Sequence, residues 1–394
     1  MTEIRPFRAS VVRPEWAARV VSPMHDSLTD QERTEIKTAN PDSFLHVTRR
    51  AGDPGESDDP TAAAAAGTAA LERLLGEGAF HELPEPSVFV YRIDTGGAGH
   101  TGIVAEVPVE AFKNGDVRGH EDVQPDRVEA LSLYLEGVGA SSDPVALMFH
   151  PDRDLADLLT AIEDEEPIIG IGHEPDAVQR VWRVNDPAVL ATIAARLSGE
   201  VMYVADGHHR VAASIAASER TKDPSQAAVL CVLYPADELR VLAFHRLVVG
   251  PVNGGDLLAS LEDGFVVEEA SEGRPTSGSF TFRVDRTWLR ASPKRAERPP
   301  GVAGLDVTRL HHEILQPLLG VADAGDPRLE VAPDTVPVSE LAARADDDGG
   351  ALFVLAAPSI EDLFEVADRG EIVPPKSTYF LPKPMSGVFL RIGE

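Results

Sequence analysis

The sequence predicts an α+β protein in two parts, the second built around a mixed sheet. Three observations carry this. Short apolar runs typical of strands recur between windows with the three-to-four-residue spacing of helices. At residues 201–220, VMYVADGHHRVAASIAASER, one such strand passes into a helix across only two residues. Beyond about residue 250 short strands and helices simply alternate, which is the pattern of a separate α+β unit with a mixed sheet.

The elements follow in order. The segment AGDPGESDDPTAAAAAG (51–67) begins as a polar loop and becomes an alanine-rich helix that runs through Leu71, Leu74 and Leu75. SVFVYRI (87–93) and TGIVAEVPV (101–109) read as strands, and Gly96, Gly97 and Gly99 between them predict a hairpin. RVEALSLYLEGVG (127–139) is an amphipathic helix stopped by glycine. PVALMFH (144–150) is a strand, and PAVLATIAARLSG (187–199) is a helix leading to the central strand Val201–Val204. AAVLCVLYP and LRVLAFHRLVV read as a strand pair. GPVNGG then divides the chain into 1–250 and 251–394. The later part holds a hairpin (SGSFTFRVDRTWLRAS), a helix (VTRLHHEILQPLLG), a strand (LEVAP), a helix (SELAARADDDG), a strand (ALFVLAAP) and a helix (IEDLFEVADRG). The proline-rich tail ends in a short apolar strand that packs back onto the body.

Composition narrows the function. The 394 residues carry a formal net charge of −29, which disfavours nucleic acid and anionic membranes, since both need clustered cations. A small anionic ligand in a local basic pocket is compatible with it. The one cysteine, Cys231, lies in the apolar run AAVLCVLY and reads as a packed strand residue; a single thiol builds no intramolecular disulfide and fits a reducing cytoplasm. No apolar run approaches the roughly 20 residues of a membrane span, and MTEIRPFRAS has no signal core. The expected protein is soluble and cytoplasmic, its oligomeric state open.

The turn Asp206-Gly207-His208-His209-Arg210 concentrates an acid, two imidazoles and a guanidinium where a helix begins. A helix N-terminus offers unpaired N–H groups and partial positive charge, hence an anion site. Gly207 allows close backbone approach. Asp206 is read either as a magnesium ligand beside phosphate oxygens or, more plainly, as the helix N-cap. In RGHEDVQPDRVEA (118–130), Glu121 follows His120 in a loop that suits a general base; a solvated acidic loop is the plain alternative. In VPPKSTYFLPK (373–383), Lys376, Ser377 and Thr378 supply a cation and two hydroxyls for phosphate in a proline-stiffened segment, without the glycines of a Walker A loop. Arg5, Arg8, His25, Asp26, His46 and Arg49 near the N-terminus are candidates to wall a pocket. TGGAGHTG precedes a strand and so fails the dinucleotide fingerprint.

With these motifs in place, nearly the whole chain resembles a bacterial family with an IRPFRA opening, an ADGHHR centre and a PPKST-F-PK ending, a family similar in turn to the free L-serine kinases. The resemblance implies a ParB/sulfiredoxin-like core preceded by an N-terminal extension, with the tail 370–387 closing the nucleotide site. It matches Asp206–Arg210 to the DGHHR motif, His120-Glu121 to the HE segment whose glutamate is the base, and Gly370, Glu371, Pro375, Lys376, Ser377 and Thr378 to the late GE-x-x-PK-(S/T)-T segment. This chain departs by its long extension and by SPMHD (Ser22–Asp26) where relatives read PPYD. The implied reaction is phosphoryl transfer from ATP or ADP, with Mg2+, to the hydroxyl of a free amino acid, L-serine foremost, giving O-phospho-L-serine. Asp206 then holds the metal. The N–H groups of Gly207–Arg210, with His208, His209 and Arg210, bind the phosphates, and Lys376, Ser377 and Thr378 close over them. Glu121 deprotonates the acceptor, which His120 and Arg127 help bind; His209 and Asp206 act in catalysis. The rivals are a ParB-like nucleotide-hydrolysing switch without an acceptor, a sulfiredoxin-type reductase, which needs a reactive thiol, and a non-catalytic scaffold.

Overall fold

The computed structural model describes residues 3–174, 177–222, 227–271, 274–275, 277–295 and 298–392. The chain divides into two compact units. One comprises Met1–Gly119, Val123–Leu239 and Pro382–Glu394; the other comprises His120–Asp122 and Arg240–Leu381. The division thus falls ahead of the GPVNGG segment, and the C-terminal strand belongs to the first unit.

The first unit is built on an eight-stranded sheet. Its order is Val117–Arg118, Met202–Asp206, Val145–Phe149, Ala228–Pro235, Ala98–Pro108, Val88–Thr95, Ala177–Val184 and Ile169–Glu174. Two neighbouring pairs are parallel, Met202–Asp206 with Val117–Arg118 and Ala228–Pro235 with Val145–Phe149; the others are antiparallel, so the sheet is mixed. The expected hairpin joins Val88–Thr95 to Ala98–Pro108 through Gly96 and Gly97, whose φ values of 57° and 80° suit the two-residue turn that matches strand twist.

Ala228–Pro235 is buried at all eight positions, the mark of a central strand covered on both faces. Both its edges are taken, by Ala98–Pro108 and Val145–Phe149. This corrects the expected strand pair with LRVLAFHRLVV, for which no edge remains. Cys231 is fully buried there, and burial pushes its thiol well above the usual range. Helices on this sheet start on their own side chains: Asp152 accepts from the Leu155 N–H, and Asp186 from those of Ala188 and Val189. Helix Pro125–Val138 ends at Gly139 with φ 65°, a left-handed C-terminus that glycine supplies without strain. A second, four-stranded sheet in this unit orders Phe80–Glu82, Ala9–Val12, Phe389–Ile392 and Ala140–Ser141, so the last strand of the chain pairs with the first.

The second unit carries a six-stranded sheet: Phe265–Glu269, Thr287–Pro293, Phe280–Val284, Ala351–Val354, Phe244–Val248 and Leu329–Pro333. All its pairs are antiparallel, which corrects the mixed sheet expected of this part: alternation of strands and helices along the chain does not set strand direction. Phe282 and Phe353 stack at 5.6 Å in its core. The hairpin and the helices expected after residue 250 are present, the helix at VTRLHHEILQPLLG being broken by a π-helical turn at His311–Leu315. Arg240–Leu242 pairs with Tyr379–Leu381.

Leu147 is fully buried in the middle of the eight-stranded sheet. Leu147→Ala removes apolar contacts and leaves a cavity, and is expected to cost about 2–5 kcal/mol. A lower denaturant midpoint with an unchanged slope checks it.

Candidate active site

In the first unit, strand Met202–Asp206 meets helix His208–Thr221 at Gly207, whose φ of 105° is a conformation that L side chains rarely adopt. A Cβ there would lie 3.0 Å from the Arg210 guanidinium. The helix takes Gly207, which has no side chain, as its N-cap residue. Asp206 instead lies between two cations. Its Oδ2 accepts from Arg210 Nη2 at 2.5 Å, and its Oδ1 from Lys383 Nζ at 2.5 Å. Burial works to raise the Asp206 pKa, but the charges of Lys383 and Arg210 prevail and hold it below the ordinary carboxylate range.

This arrangement does not fit a magnesium ion on Asp206. Both carboxylate oxygens are engaged by cations, which repel a divalent ion from the same atoms. Among the described residues no group of three or more His, Cys, Asp or Glu side chains gathers to hold a metal. Asp206 therefore orients Arg210 and Lys383.

Arg210 is pinned from several directions. Nη1 donates to the Pro144 carbonyl at 2.6 Å and the Asp143 carbonyl at 3.3 Å, and lies 3.3 Å from Met24 Sδ. His209 Nε2 accepts the Gln124 N–H at 3.0 Å, which ties the bend to the start of helix Pro125–Val138. His208 is buried, its ring against Gly119, where a Cβ would come within 3.1 Å.

Beside the bend lies a cavity of about 570 Å³. Arg210 and Ser214 line it from helix His208–Thr221. Helix Pro125–Val138 presents Arg127, Ala130, Leu131, Tyr134 and Val138, spaced three and four residues apart on one face. The N-terminal part of the chain supplies His25, Asp26, Arg49, Arg50 and Asp53. Of the N-terminal residues expected to wall a pocket, His25, Asp26 and Arg49 do so. Arg5 and Arg8 lie outside its lining, Arg5 bonded to Glu3, and so does His46, whose ring meets the Lys37 and Asn40 carbonyls. Asp26 is the electrostatic centre of the cavity. Arg50 grips both its oxygens, at 2.5 and 2.9 Å, and Arg127 Nη2 reaches Oδ1 at 3.3 Å. Burial disfavours its charge, yet Arg50, then Arg210 and Arg127, hold the carboxyl far below the usual range. Burial likewise lowers the His25 pKa against the opposing pull of Asp53, 2.5 Å away.

In the second unit the HE segment and the late lysine segment come together. Thr378 Oγ1 donates to Glu121 Oε1 at 3.2 Å, and the Val373 N–H donates to the His120 carbonyl at 2.8 Å. His120 is fully buried, its ring 6.2 Å from that of Phe380. Ser377 is also buried, its hydroxyl donating to the Pro374 carbonyl at 2.6 Å. Lys376 is exposed and sits at φ 53°. Buried Arg246 fixes that turn through the Lys376 carbonyl at 3.0 Å; burial brings its pKa down to about 10.

Sequence reasoning missed Lys383 and Arg50 as site residues. The PK pair that ends the PPKST-F-PK pattern was the available signal for Lys383. For Arg50, on an extension without a motif, there was none.

The charge knot predicts an acid limb. Asp206 and Asp26 have depressed folded-state values, so the stability they contribute is present above the ordinary carboxylate pKa of about 4 and is lost as pH falls through the folded values. Unfolding free energy measured from pH 7 to pH 3 should therefore fall steeply below about pH 4. Asp206→Asn should begin less stable at pH 7 and show a shallower fall.

The comparisons with known proteins come to three findings. No curated protein matches the chain. Solved structures with partial likeness include a free serine kinase in complex with AMP, 14% identical with a TM-score of 0.39, covering 74% of this chain and 91% of that one. They also include a conserved hypothetical protein from Pyrococcus furiosus (14%, TM-score 0.36, 73% and 93%) and SbnI with a C-terminal truncation from Staphylococcus aureus (13%, TM-score 0.37, 72% and 85%). Among the described residues no helix is long and apolar enough to cross a membrane. The family DUF1015, described as a protein of unknown function, matches residues 4–308, and the chain belongs to that family.

Proposed function

We propose that the protein is a phosphotransferase, passing the terminal phosphoryl group of ATP or ADP to the hydroxyl of a small carboxylate-bearing molecule, with free L-serine the first candidate. One observation carries the reading. Two cations, Arg210 and Lys383, converge on Asp206 where helix His208–Thr221 begins. A helix N-terminus with fixed cations beside it is what a phosphate chain needs. The resemblance of the DGHHR, HE and PKST segments to the free L-serine kinases supports the same chemistry.

In this reading the nucleotide phosphates bind the amides of Gly207–Arg210, with Arg210 and Lys383 neutralising the charge that builds on the transferring group. The acceptor oxygen bonds to phosphorus as the bridging P–O bond breaks, and the nucleoside di- or monophosphate leaves with the bond electrons. The acceptor proton passes to Glu121, which Thr378 orients. His120 and Ser377 are positioning residues. Such chemistry asks the protein for placement and charge more than for covalent steps.

The decisive experiment is phosphorus NMR of the purified protein with magnesium, ATP or ADP, and a panel of hydroxy amino acids. A new phosphomonoester signal that depends on the acceptor is the expected result. Nucleotide hydrolysis indifferent to every acceptor would establish the ParB-like switch instead. Two variants separate the roles. Lys383→Met should weaken ADP binding about tenfold or more in calorimetry, the scale of a lost charge-assisted contact. Glu121→Gln should retain ADP binding and lose about 10²–10⁴ in turnover, the usual share of a general base. Near-native turnover in Glu121→Gln removes the glutamate from the mechanism.

A further inference from the structure

The cavity beside the bend is larger than a phosphate chain or free serine requires. Its volume of about 570 Å³ falls within the ~300–1,000 Å³ of pockets that enclose whole organic ligands. A molecule as small as serine leaves most of it unfilled.

The lining has two characters. Phe44, Val47, Leu131, Tyr134 and Val138 make an apolar wall. Its charged residues are five arginines (Arg33, Arg49, Arg50, Arg127, Arg210) and four aspartates (Asp26, Asp53, Asp126, Asp143). Arg49 and Arg33 are paired away from the hollow, with Glu56 and Asp30, so Arg50, Arg127 and Arg210 are the guanidiniums whose charges act on Asp26. Asp26 displays how the arginines receive a planar acid, with Arg50 on both oxygens and Arg127 on one. Arg127 commits Nη2 to Asp26 and is half exposed; among the described residues its other N–H groups have no hydrogen-bond partner.

We propose that this cavity binds an amphipathic organic monocarboxylate, its acid on Arg127 and Arg50 and its body against Tyr134 and Leu131. The N-terminal extension exists, on this account, to build one wall of the chamber. The cavity's use as the acceptor seat rests on the phosphoryl-transfer reading; the binding itself does not.

The test uses the full chain and L-3-phenyllactate, which joins a carboxylate and a hydroxyl to an apolar ring. Ligand-observed NMR and calorimetry should show it binding, with 3-phenyllactamide and L-serine each at least tenfold weaker. Arg127→Gln, at a half-exposed position, should weaken phenyllactate about tenfold. Ala130→Phe, which fills the space, should abolish it while ADP binding persists. Equal binding of acid and amide, no binding of the acid at millimolar concentration, or indifference to Arg127→Gln overturns the proposal. If ADP displaces phenyllactate and itself weakens in Ala130→Phe, the cavity is the nucleotide's chamber and the proposal also falls. Phenyllactate binding in a protein that binds no ADP supports the cavity site and sinks only the phosphoryl-transfer reading.

Discussion

Asp206 is the constraint on which the first unit's site depends. Its two oxygens hold Arg210, four residues on in the first turn of the helix, and Lys383, 177 residues away in sequence. A carboxylate so placed costs desolvation, and only paired cations make it tolerable. The gain is order. Arg210 is thereby aimed between the carbonyls of Asp143 and Pro144 and the sulfur of Met24, and Lys383 is brought to the start of the helix. Gly207 makes the arrangement possible, because a side chain at φ 105° would be strained and would crowd the guanidinium.

The same arginine links two polar centres. It bonds Asp206 and lines the cavity, and its charge also acts on Asp26. Asp26, Arg50 and Arg127 therefore form an extension of the bend's electrostatics. In a chain with so large an acidic excess, guanidiniums gathered around one hollow define a local anion site, and their pairing with aspartates keeps them fixed before a ligand arrives. Preorganised charge of this kind stabilises a bound anion without reorganisation on binding.

Much of the fold was legible in the sequence, and the reasons are local. The Gly96-Gly97 turn, the glycine stop of helix Pro125–Val138 and the apolar run at 228–235 each fix an element through its own neighbours. The bend at 206–210 was legible because so many polar residues cannot pack in one turn without a reason. The role of Asp206 was not. Capping, metal binding and ion pairing use the same side chain, and the choice among them was made by Lys383, which no spacing rule connects to it. The partner of strand Ala228–Pro235 was missed likewise, since a run buried on every side belongs in mid-sheet and the next strand in sequence has no edge to join. His120 looked like a polar contact in an acidic loop, yet it lies under Phe380, because neighbours along the chain do not reveal what packs from elsewhere.

The central claim is that the bend with Arg210 and Lys383 receives the nucleotide's phosphates. A crystal structure of the protein with ADP and magnesium tests it most directly. The account predicts phosphate density within hydrogen-bonding distance of the Gly207–Arg210 amides and Lys383 Nζ. ADP bound with its phosphates away from this bend would contradict it.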